Sequence, residues 1–175
     1  MNSSLNNQQY AQPLYTLAEQ VLDLCAKGGA DQAEVSLSQD TGFSVNVRLG
    51  EVETVERTND QGVAVTVYVN KRKGTASTAD LRQESLAETV AQACAIARFT
   101  EADQASGLAD RELLATEVMD FDLWHPSELP PEQGIALALE TEAAGLQQKN
   151  ISNSDGASYG SSRSTAVYGN SHGFM

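Results

Sequence analysis

Apolar residues recur at helical spacing near the start of the chain and predict a first helix. The stripe consists of Leu14, Leu17, Val21, Leu22 and Cys25. Side chains three or four residues apart share one helix face, and the Gly28-Gly29 pair that follows is a common helix stop. We therefore predict a helix of about four turns with one buried face. The polar residues before it, 1–12, predict a disordered amino-terminal tail.

A period-two pattern follows and predicts β-strands. Residues 33–38 and 43–49 each alternate apolar and polar side chains, and Asp40-Thr41-Gly42 between them has turn composition. Two alternating runs around such a turn predict a hairpin.

The alternation then continues in residues 52–57 and 62–69, which flank Asn59-Asp60-Gln61-Gly62. A basic turn, Lys71-Arg72-Lys73-Gly74, leads into 75–78. Strands joined by short turns predict an antiparallel meander.

Two more helices and a closing pair of strands complete the pattern. The second helix follows Asp80 and carries a stripe of Leu86, Val90, Ala93, Cys94 and Ala97. The third begins near Pro130-Pro131, a residue type suited to a first helical turn, and its stripe is Ile135, Leu139, Ala143 and Leu146. The irregular, acidic stretch 100–131 between them holds Trp124, which we expect to anchor it.

The closing strands are expected near 151–158 and 164–168. Helices and strands that are segregated in this way predict an α+β fold. We expect an antiparallel sheet, a meander of four to six strands, with about three helices packed on one face.

Composition and charge exclude some classes of function. The 175 residues fit one domain that buries a core without disulfides. The net charge of −13 argues against a nucleic-acid interface, because such an interface needs a basic face. No apolar run has the length of a membrane span, and the polar start lacks the features of a signal peptide. These features favour a cytoplasmic protein with no nucleic-acid or membrane partner.

Catalytic and metal-ligating constellations are not found in the sequence. The two histidines, His125 and His172, are far apart and belong to no His-Glu-x-x-His or His-Glu-x-x-x-His helix. Cys25 and Cys94 fit buried free thiols. The adjacent pair Ser171-His172 is not a triad, because neighbouring strand side chains point apart. We predict no catalytic residue, no metal ligand and no cofactor in this chain.

One physical feature suggests binding. Strands with small or polar residues on one side suit a sheet edge that accepts an extended peptide through main-chain hydrogen bonds. The alternative is that the same glycines and serines only permit tight turns.

Several ordered motifs resemble the amino-terminal domain of the TldD/PmbA family, in its PmbA (TldE) branch. They are Ala33-Glu34-Val35, Gly50-Glu51-Val52-Glu53, residues 62–68, Gly74-Thr75-Ala76-Ser77-Thr78, Asp122-Leu123-Trp124-His125-Pro126 and Gly169-Asn170-Ser171-His172-Gly173-Phe174. The family is known for modulators of DNA gyrase and for metallopeptidase subunits.

The resemblance implies a longer protein, roughly two and a half times this length. By it, residues 13–168 are the amino-terminal α+β domain, and 169–175 begin the junction to a carboxyl-terminal domain. The TldD branch carries the zinc motif, and the PmbA branch lacks it and pairs with TldD in a heterodimer. The pair degrades unfolded or modified peptides and matures peptide antibiotics.

The resemblance thus implies a structural and peptide-channel domain of a partner subunit, inactive by itself, with zinc only in the TldD-like subunit. Asn170, Ser171 and His172 are carried over as a family signature and are the substrate-binding candidates. Their role, turn or peptide contact, stays open. The expected partners are a TldD-like metallopeptidase subunit and an extended peptide, and the isolated chain could associate with itself. An alternative is a regulatory module that acts on DNA gyrase or on a toxin–antitoxin system.

Overall fold

The computed structural model describes residues 3–117, 119–125 and 129–175. In chain order the elements are α1 (Ser3–Lys27), β1 (Gln32–Arg48), β2 (Glu51–Val69), β3 (Arg72–Thr78), α2 (Gln83–Phe99), a 3-10 turn (Arg111–Leu113), α3 (Pro131–Leu146) and β4 (Ala157–Asn170). The strands of this part of the chain form one antiparallel sheet in the order β3-β2-β1-β4. The α+β prediction is therefore confirmed. Pro126, the last residue of one family motif, lies outside the described residues.

Helix α1 ends where the sequence indicates but begins earlier. After Lys27 the chain turns at Gly29, whose φ is +87°, and the N–H of Ala30 donates to the carbonyl of Cys25 at 3.1 Å. At its other end, the described part of the expected disordered tail, 3–12, is helical instead. Residues 3–12 contain no glycine and no proline, the two residue types that most disfavour a helix. Pro13 itself lies inside α1 and donates no hydrogen bond to the preceding turn, yet the helix continues through it.

Strand β1 corrects the first predicted hairpin. It runs without a break from Gln32 to Arg48, so the turn expected at Asp40-Thr41-Gly42 was wrong. Gly42 is needed for space and not for a turn. A Cβ at this position would lie only 2.5 Å from Oγ1 of Thr58 on the neighbouring strand. Glycine therefore lets the side chain of Thr58 approach the backbone of β1.

The same correction applies to β2 and β4. The turn expected at Asn59–Gly62 lies inside β2. Strand β4 contains all of the strand expected near 164–168 but only 157–158 of the strand expected near 151–158. The real reversals are Leu49-Gly50 and Asn70-Lys71, where the φ angles are 51°, 79°, 50° and 61°. Two successive positive φ angles are what a two-residue hairpin turn of type I′ requires. The sheet thus has fewer and longer strands than the turn composition suggested.

Helix α2 lies directly on strand β3. The pairing of β2 with β3 sets Val67 opposite Gly74. A Cβ on Gly74 would collide with the carbonyl oxygen of Ala93 and would lie 2.6 Å from the backbone nitrogen of Ala97. The glycine therefore permits a helix-to-strand approach that any other side chain would prevent.

Internal contacts divide the chain into two compact units. Unit 1 comprises Met1–Gln39, Asp60–His125 and Thr165–Met175, and unit 2 comprises Asp40–Asn59 and Pro126–Ser164.

The core of unit 1 contains the stripes predicted for α1 and α2. Its buried side chains include Leu14, Val21, Cys25, Val35, Leu37, Val65, Val67, Leu86, Val90, Cys94 and Val167. Fully burying one leucine or valine contributes about 1.5–3 kcal/mol. The faces predicted for these two helices are confirmed.

Unit 2 has a smaller core, in which α3 packs on β1 and β4. Val45, Val47 and Ala138 are buried, and Phe43 and Tyr159 pack against them. The buried face of α3 is Gly134, Ala138 and Glu142. It therefore lies one residue before the stripe predicted from Ile135 and Leu139, which are only half-buried. The reason is Gly134, whose missing side chain leaves room for the rings of Phe43 and Tyr159.

Candidate functional site

Asn170, Ser171 and His172, the substrate-binding candidates of the sequence, lie at the end of β4 in unit 1. Asn170 is buried, and its Oδ1 accepts hydrogen bonds from the backbone N–H of His172 at 3.0 Å and of Phe174 at 3.3 Å. The N–H of Ser171 donates to the carbonyl of Ala33 at 2.8 Å, and the N–H of Ala33 donates to Oγ of Ser171 at 3.0 Å. These bonds close a tight turn and fasten it to the start of β1.

The ring of His172 connects this turn to the long stretch after α2. Its Nδ1 lies 3.1 Å from the carbonyl oxygen of Ala109, and its Nε2 lies 3.4 Å from Nε2 of Gln32. Both ring nitrogens of His172 therefore lie within hydrogen-bond distance of a partner. Oε1 of the same Gln32 side chain accepts from the N–H of Leu108 at 2.8 Å, and Arg111 donates to the carbonyl of His172 at 2.7 Å. Ser171 and His172 are thus engaged with separate partners and do not bond to each other.

The second histidine, His125, lies in a turn of its own. Its Nε2 is 2.6 Å from the carbonyl oxygen of Asp122, and the ring of the preceding Trp124 packs on Tyr10 with 5.3 Å between ring centroids. Trp124 therefore anchors the irregular stretch in unit 1, as the sequence indicated.

A groove in unit 2 is the site that sequence reasoning missed. It has a volume of about 270 Å³ and crosses three neighbouring strands, β2, β1 and β4. Its lining is formed by Gly42, Phe43, Ser44, Glu56, Thr58, Gly160, Ser161 and Ser162. Five of these are glycine or serine, so backbone groups and hydroxyls are accessible to a ligand. We call this site the glycine–serine groove.

The floor of the groove is shaped by one small residue and one aromatic residue. Gly42 leaves the space that Thr58 Oγ1 and the carbonyl of Ser161 border. Phe43 packs its ring at 6.4 Å from Tyr159, and the guanidinium of Arg57 lies 5.9 Å from the centroid of the Phe43 ring. The groove thus combines polar small residues with one aromatic surface, an arrangement that suits main-chain recognition more than chemistry on a substrate.

Strand β4 forms the outer wall of the groove and is the last strand in the sheet order. An end strand has one row of N–H and C=O groups that no other strand of the sheet pairs. The other end strand, β3, is only 7 residues long and begins with the basic residues Arg72 and Lys73. The β4 edge is therefore the better acceptor for an added strand.

The most perturbed carboxylate of unit 2, Glu142, has a structural partner. The backbone N–H of Gly50, the hydroxyl of Ser154 and the backbone N–H of Leu49 hold the pKa of Glu142 below its usual range of about 4.5, although burial opposes them. Such a buried acceptor fixes the β1–β2 turn and leaves no proton to transfer at neutral pH.

Metal-ligand geometry is not found in the part of the chain that the structure describes. No group of three or more His, Cys, Asp or Glu side chains there is arranged to hold a metal ion. Both cysteines are buried free thiols, as the sequence predicts. In the same residues, no helix combines the length and the apolar character that crossing a membrane requires.

Comparisons with protein families give two matches on this chain. Residues 33–97 match the PmbA/TldA metallopeptidase domain 1, and residues 124–175 match the PmbA/TldA metallopeptidase central domain. The chain is 47% identical over 151 residues to the Metalloprotease PmbA of Escherichia coli O157:H7. The aligned region covers 86% of this chain and 34% of that protein. It is 42% identical over 155 residues to the Metalloprotease PmbA homolog of Haemophilus influenzae, and that alignment covers 88% of this chain and 34% of the relative. The chain thus spans about a third of the length of these relatives.

Solved structures share the fold. A protein of Bacteroides thetaiotaomicron that is described as a candidate modulator of DNA gyrase superimposes with a TM-score of 0.82 at 24% identity, over 91% of this chain and 37% of that one. TldE from Thermococcus kodakarensis superimposes with a TM-score of 0.72 at 18% identity, over 90% of this chain and 35% of TldE.

Proposed function

The chain belongs to the PmbA/TldD metallopeptidase family, and from that membership we propose that it is the amino-terminal part of a PmbA (TldE)-type subunit. In this role it holds an extended peptide for a TldD-type zinc metallopeptidase subunit. The proposed processes are proteolysis and maturation of unfolded or modified peptides in the cytoplasm.

The observation that carries the proposal is the glycine–serine groove beside the free edge of β4. An extended peptide gains affinity by adding a strand to such an edge, and small side chains let its backbone come close. Gly160, Ser161 and Ser162 offer both features on one strand. Main-chain recognition is tolerant of sequence, which suits unfolded substrates.

The chemistry of peptide cleavage is proposed to lie in the partner. The described residues of this chain bring no metal-ligand group together. Ser171 and His172 are engaged in hydrogen bonds that fasten the turn after β4. The zinc ion, in this proposal, is bound by the TldD-type subunit and supplies the activated water there. This chain binds and orients the peptide.

A pair of proline substitutions tests the edge. Successive backbone N–H groups of a strand point to opposite edges, so Ser161→Pro and Ser162→Pro each remove a donor from a different edge. We expect one variant to lose a ladder bond to β1 and to unfold at a lower temperature. The other variant should keep the wild-type melting temperature, since proline is tolerated where the N–H faces solvent. This variant should no longer bind a peptide made of alanine and norleucine.

Binding is measured by fluorescence anisotropy of the labelled peptide. Wild-type affinity in the proline variant that keeps its melting temperature would contradict strand addition at β4.

The partnership is tested separately by activity. The complete gene product and a TldD-type subunit are combined with an unfolded peptide, and cleavage is followed with and without the PmbA-type subunit. We expect cleavage to depend on both. Equal rates in the two mixtures would exclude the proposed role.

A further inference from the structure

Glu34 presents a carboxylate on the side of the sheet opposite the helices of unit 1. It lies between Ala33 and Val35, which are both buried in the core. Because successive strand side chains alternate between the two faces, Glu34 points away from that core. The carboxylate is only partly exposed.

Two tyrosines from the strands on either side of β1 hold this carboxylate. The hydroxyl of Tyr68 on β2 donates to Oε1 at 3.1 Å, and the hydroxyl of Tyr168 on β4 donates to Oε2 at 2.9 Å. Each carboxylate oxygen therefore has one neutral donor and keeps a further lone pair for another. The three residues belong to three adjacent strands, so the sheet itself fixes their positions. We call them the Glu34 site.

The Glu34 carboxylate has no cationic side chain as a partner among the residues that the structure describes. Burial of the ring and the adjacent negative charge of Glu34 raise the pKa of Tyr68 to about 12, and burial also raises the pKa of Tyr168. Both phenols therefore remain protonated donors at neutral pH. Neither phenol brings a positive charge to the carboxylate.

Aromatic surface lies on the Tyr168 side of the carboxylate. The ring of Tyr168 is 41% exposed, and the ring of Phe174 lies 6.1 Å from it between centroids. A carboxylate beside exposed aromatic faces attracts a cation through both a charge-assisted hydrogen bond and a cation–π contact. Beyond it on the same face, Thr66 and Thr75 share a hydrogen bond of 3.2 Å and add no bulk. A peptide backbone can therefore lie flat next to the site.

We propose that Glu34, Tyr68 and Tyr168 form a recognition site for a primary ammonium group, supplied by a lysine side chain or by the amino terminus of an extended peptide. This inference rests on the proposed function, because the peptide is the occupant. A divalent metal is disfavoured, since calcium needs six or more oxygen ligands and this site offers one carboxylate and two phenols. A guanidinium would need the remaining lone pairs of both carboxylate oxygens at once for a bidentate pair, whereas a compact ammonium group needs only one of them.

Matched short peptides test the site on the whole chain. All are amidated and consist of alanine around one central residue, which is lysine, norleucine or arginine, with the amino terminus acetylated. A further norleucine peptide has a free amino terminus. The smallest probe is lysine amide acetylated at its α-amino group, which keeps the side-chain ammonium group. We expect the lysine peptide to bind about tenfold more tightly than its norleucine counterpart, as a charge-assisted contact of this kind would give.

Variants locate the effect. Glu34→Gln removes the charge and should abolish the preference for lysine while leaving the norleucine peptide unchanged. Tyr168→Phe keeps the ring, removes one donor and should reduce the preference about threefold. Glu88→Gln, an exposed position on α2, changes the net charge equally and should keep the wild-type preference. Melting temperatures confirm that each variant is folded.

The outcomes separate this inference from the proposed function. The Glu34 site is overturned, with peptide binding left intact, if neither the lysine peptide nor the norleucine peptide with a free amino terminus binds more tightly than the acetylated norleucine peptide. Tighter binding of only one of the two identifies the source of the ammonium group, and a tighter arginine peptide overturns the choice of an ammonium group. A different result would be that the longer peptides fail to bind, while the acetylated lysine amide binds the wild-type protein but not Glu34→Gln. The Glu34 site would then stand, and the peptide-binding proposal would fail. If the lysine probes bind Glu34→Gln as they bind wild type, the site is excluded.

Discussion

Glu142 of α3 accepts a hydrogen bond of 2.9 Å at Oε2 from the backbone N–H of Gly50, in the turn between β1 and β2. Its other oxygen accepts from the N–H of Leu49 at 2.8 Å. Both turn residues have positive φ angles, and a buried carboxylate thus holds the two N–H groups of a strained turn. Unit 2 therefore owes the geometry of this hairpin to a residue more than ninety positions away in sequence, as the separations of 93 and 92 residues show.

This contact predicts a pH-dependent stability. The folded-state pKa of Glu142 is lowered below its ordinary value of 4.5, first by the N–H of Gly50 and then by Ser154 and Leu49. The contribution of the ionised carboxylate is therefore fully present above about pH 4.5 and is lost as the pH falls toward the folded-state pKa. In Glu142→Gln the amide presents a donor to one of the two N–H groups. We expect a lower melting temperature than wild type at pH 7 and a shrinking difference on acidification.

The matched control for this prediction is Glu140→Gln, which makes the same charge change at an exposed position of the same helix. It should stay close to wild type at every pH. Melting curves from pH 7 down to pH 3 by circular dichroism measure both. A Glu142→Gln deficit that is equally large at pH 7 and pH 3 would show that the carboxylate charge is not responsible.

The strand count illustrates where local sequence signals fail. Asp40-Thr41-Gly42 and Asn59–Gly62 have turn composition, yet both lie inside long strands, because pairing with neighbouring strands outweighs a local turn preference. The real first turn, Leu49-Gly50, has a leucine at a positive φ angle, which sequence rules disfavour. Glu142 stabilises this turn by accepting hydrogen bonds from Leu49 and Gly50. No residue near the turn in sequence indicates this contact.

The buried faces of α1 and α2 were easier to predict, since each periodic stripe depends only on its own segment. The face of α3 is shifted by one residue, because Gly134 packs against rings from two distant strands.

Neither of the two proposed binding sites could be predicted from a motif. Ser44, Thr58 and Ser161 of the glycine–serine groove come from three strands, and no short spacing connects them. Glu34 was visible in a family motif, but its two tyrosine donors are separated from it by 34 and 134 residues. Only the order and register of the sheet bring such residues together. The sequence suggested a sheet edge that accepts a peptide, and the sheet order shows that β4 is an end strand on which such a site can be proposed.

Two glycine substitutions test the close approach of α2 to β3. Gly74→Val forces a side chain against Ala93 and Ala97, where the backbone of α2 leaves no space. We expect the free energy of unfolding to fall by about 1–3 kcal/mol or more, as for other overpacked sites. Gly145→Ala on α3 is the control, because nothing lies within 4 Å of the added Cβ, and it should stabilise by up to about 1 kcal/mol. Urea unfolding measures both, and a neutral Gly74→Val would contradict the packing.

The turn after β4 gives a prediction that separates a structural role from a substrate role. Asn170→Ala leaves the N–H groups of His172 and Phe174 without their buried acceptor. We expect a loss of about 1–3 kcal/mol in unfolding free energy. His172→Ala removes more exposed bonds, to Ala109 and Gln32, and should cost about 0.5–1.5 kcal/mol. Peptide affinity at temperatures where the variants are folded should not change. A variant that binds peptide less tightly at unchanged stability would instead assign that residue to the substrate.

The two thiols should react with alkylating reagents in a fixed order. Burial raises the pKa of Cys25 to about 12, with a further contribution from Cys94, and burial also raises the pKa of Cys94 against the opposing charge of Arg98. Since the thiolate is the reactive form, both should react slowly with iodoacetamide at pH 8 in the native protein.

The order follows from what each thiol needs in order to become accessible. Cys94 lines a cleft of about 200 Å³ between α1 and α2, together with Leu24, Gly28 and Val90 among others, so a local separation of the two helices exposes it. Cys25 is fully buried in the core of unit 1 and is exposed only when α1 leaves the sheet. Local opening requires less free energy than global unfolding. We therefore expect Cys94 to be labelled first and Cys25 to be labelled at the rate of global unfolding, as followed by mass spectrometry of Cys25→Ala and Cys94→Ala. Equal labelling rates for the two thiols below the unfolding transition would mean that α1 and α2 open together, and the cleft would then give Cys94 no separate route to solvent.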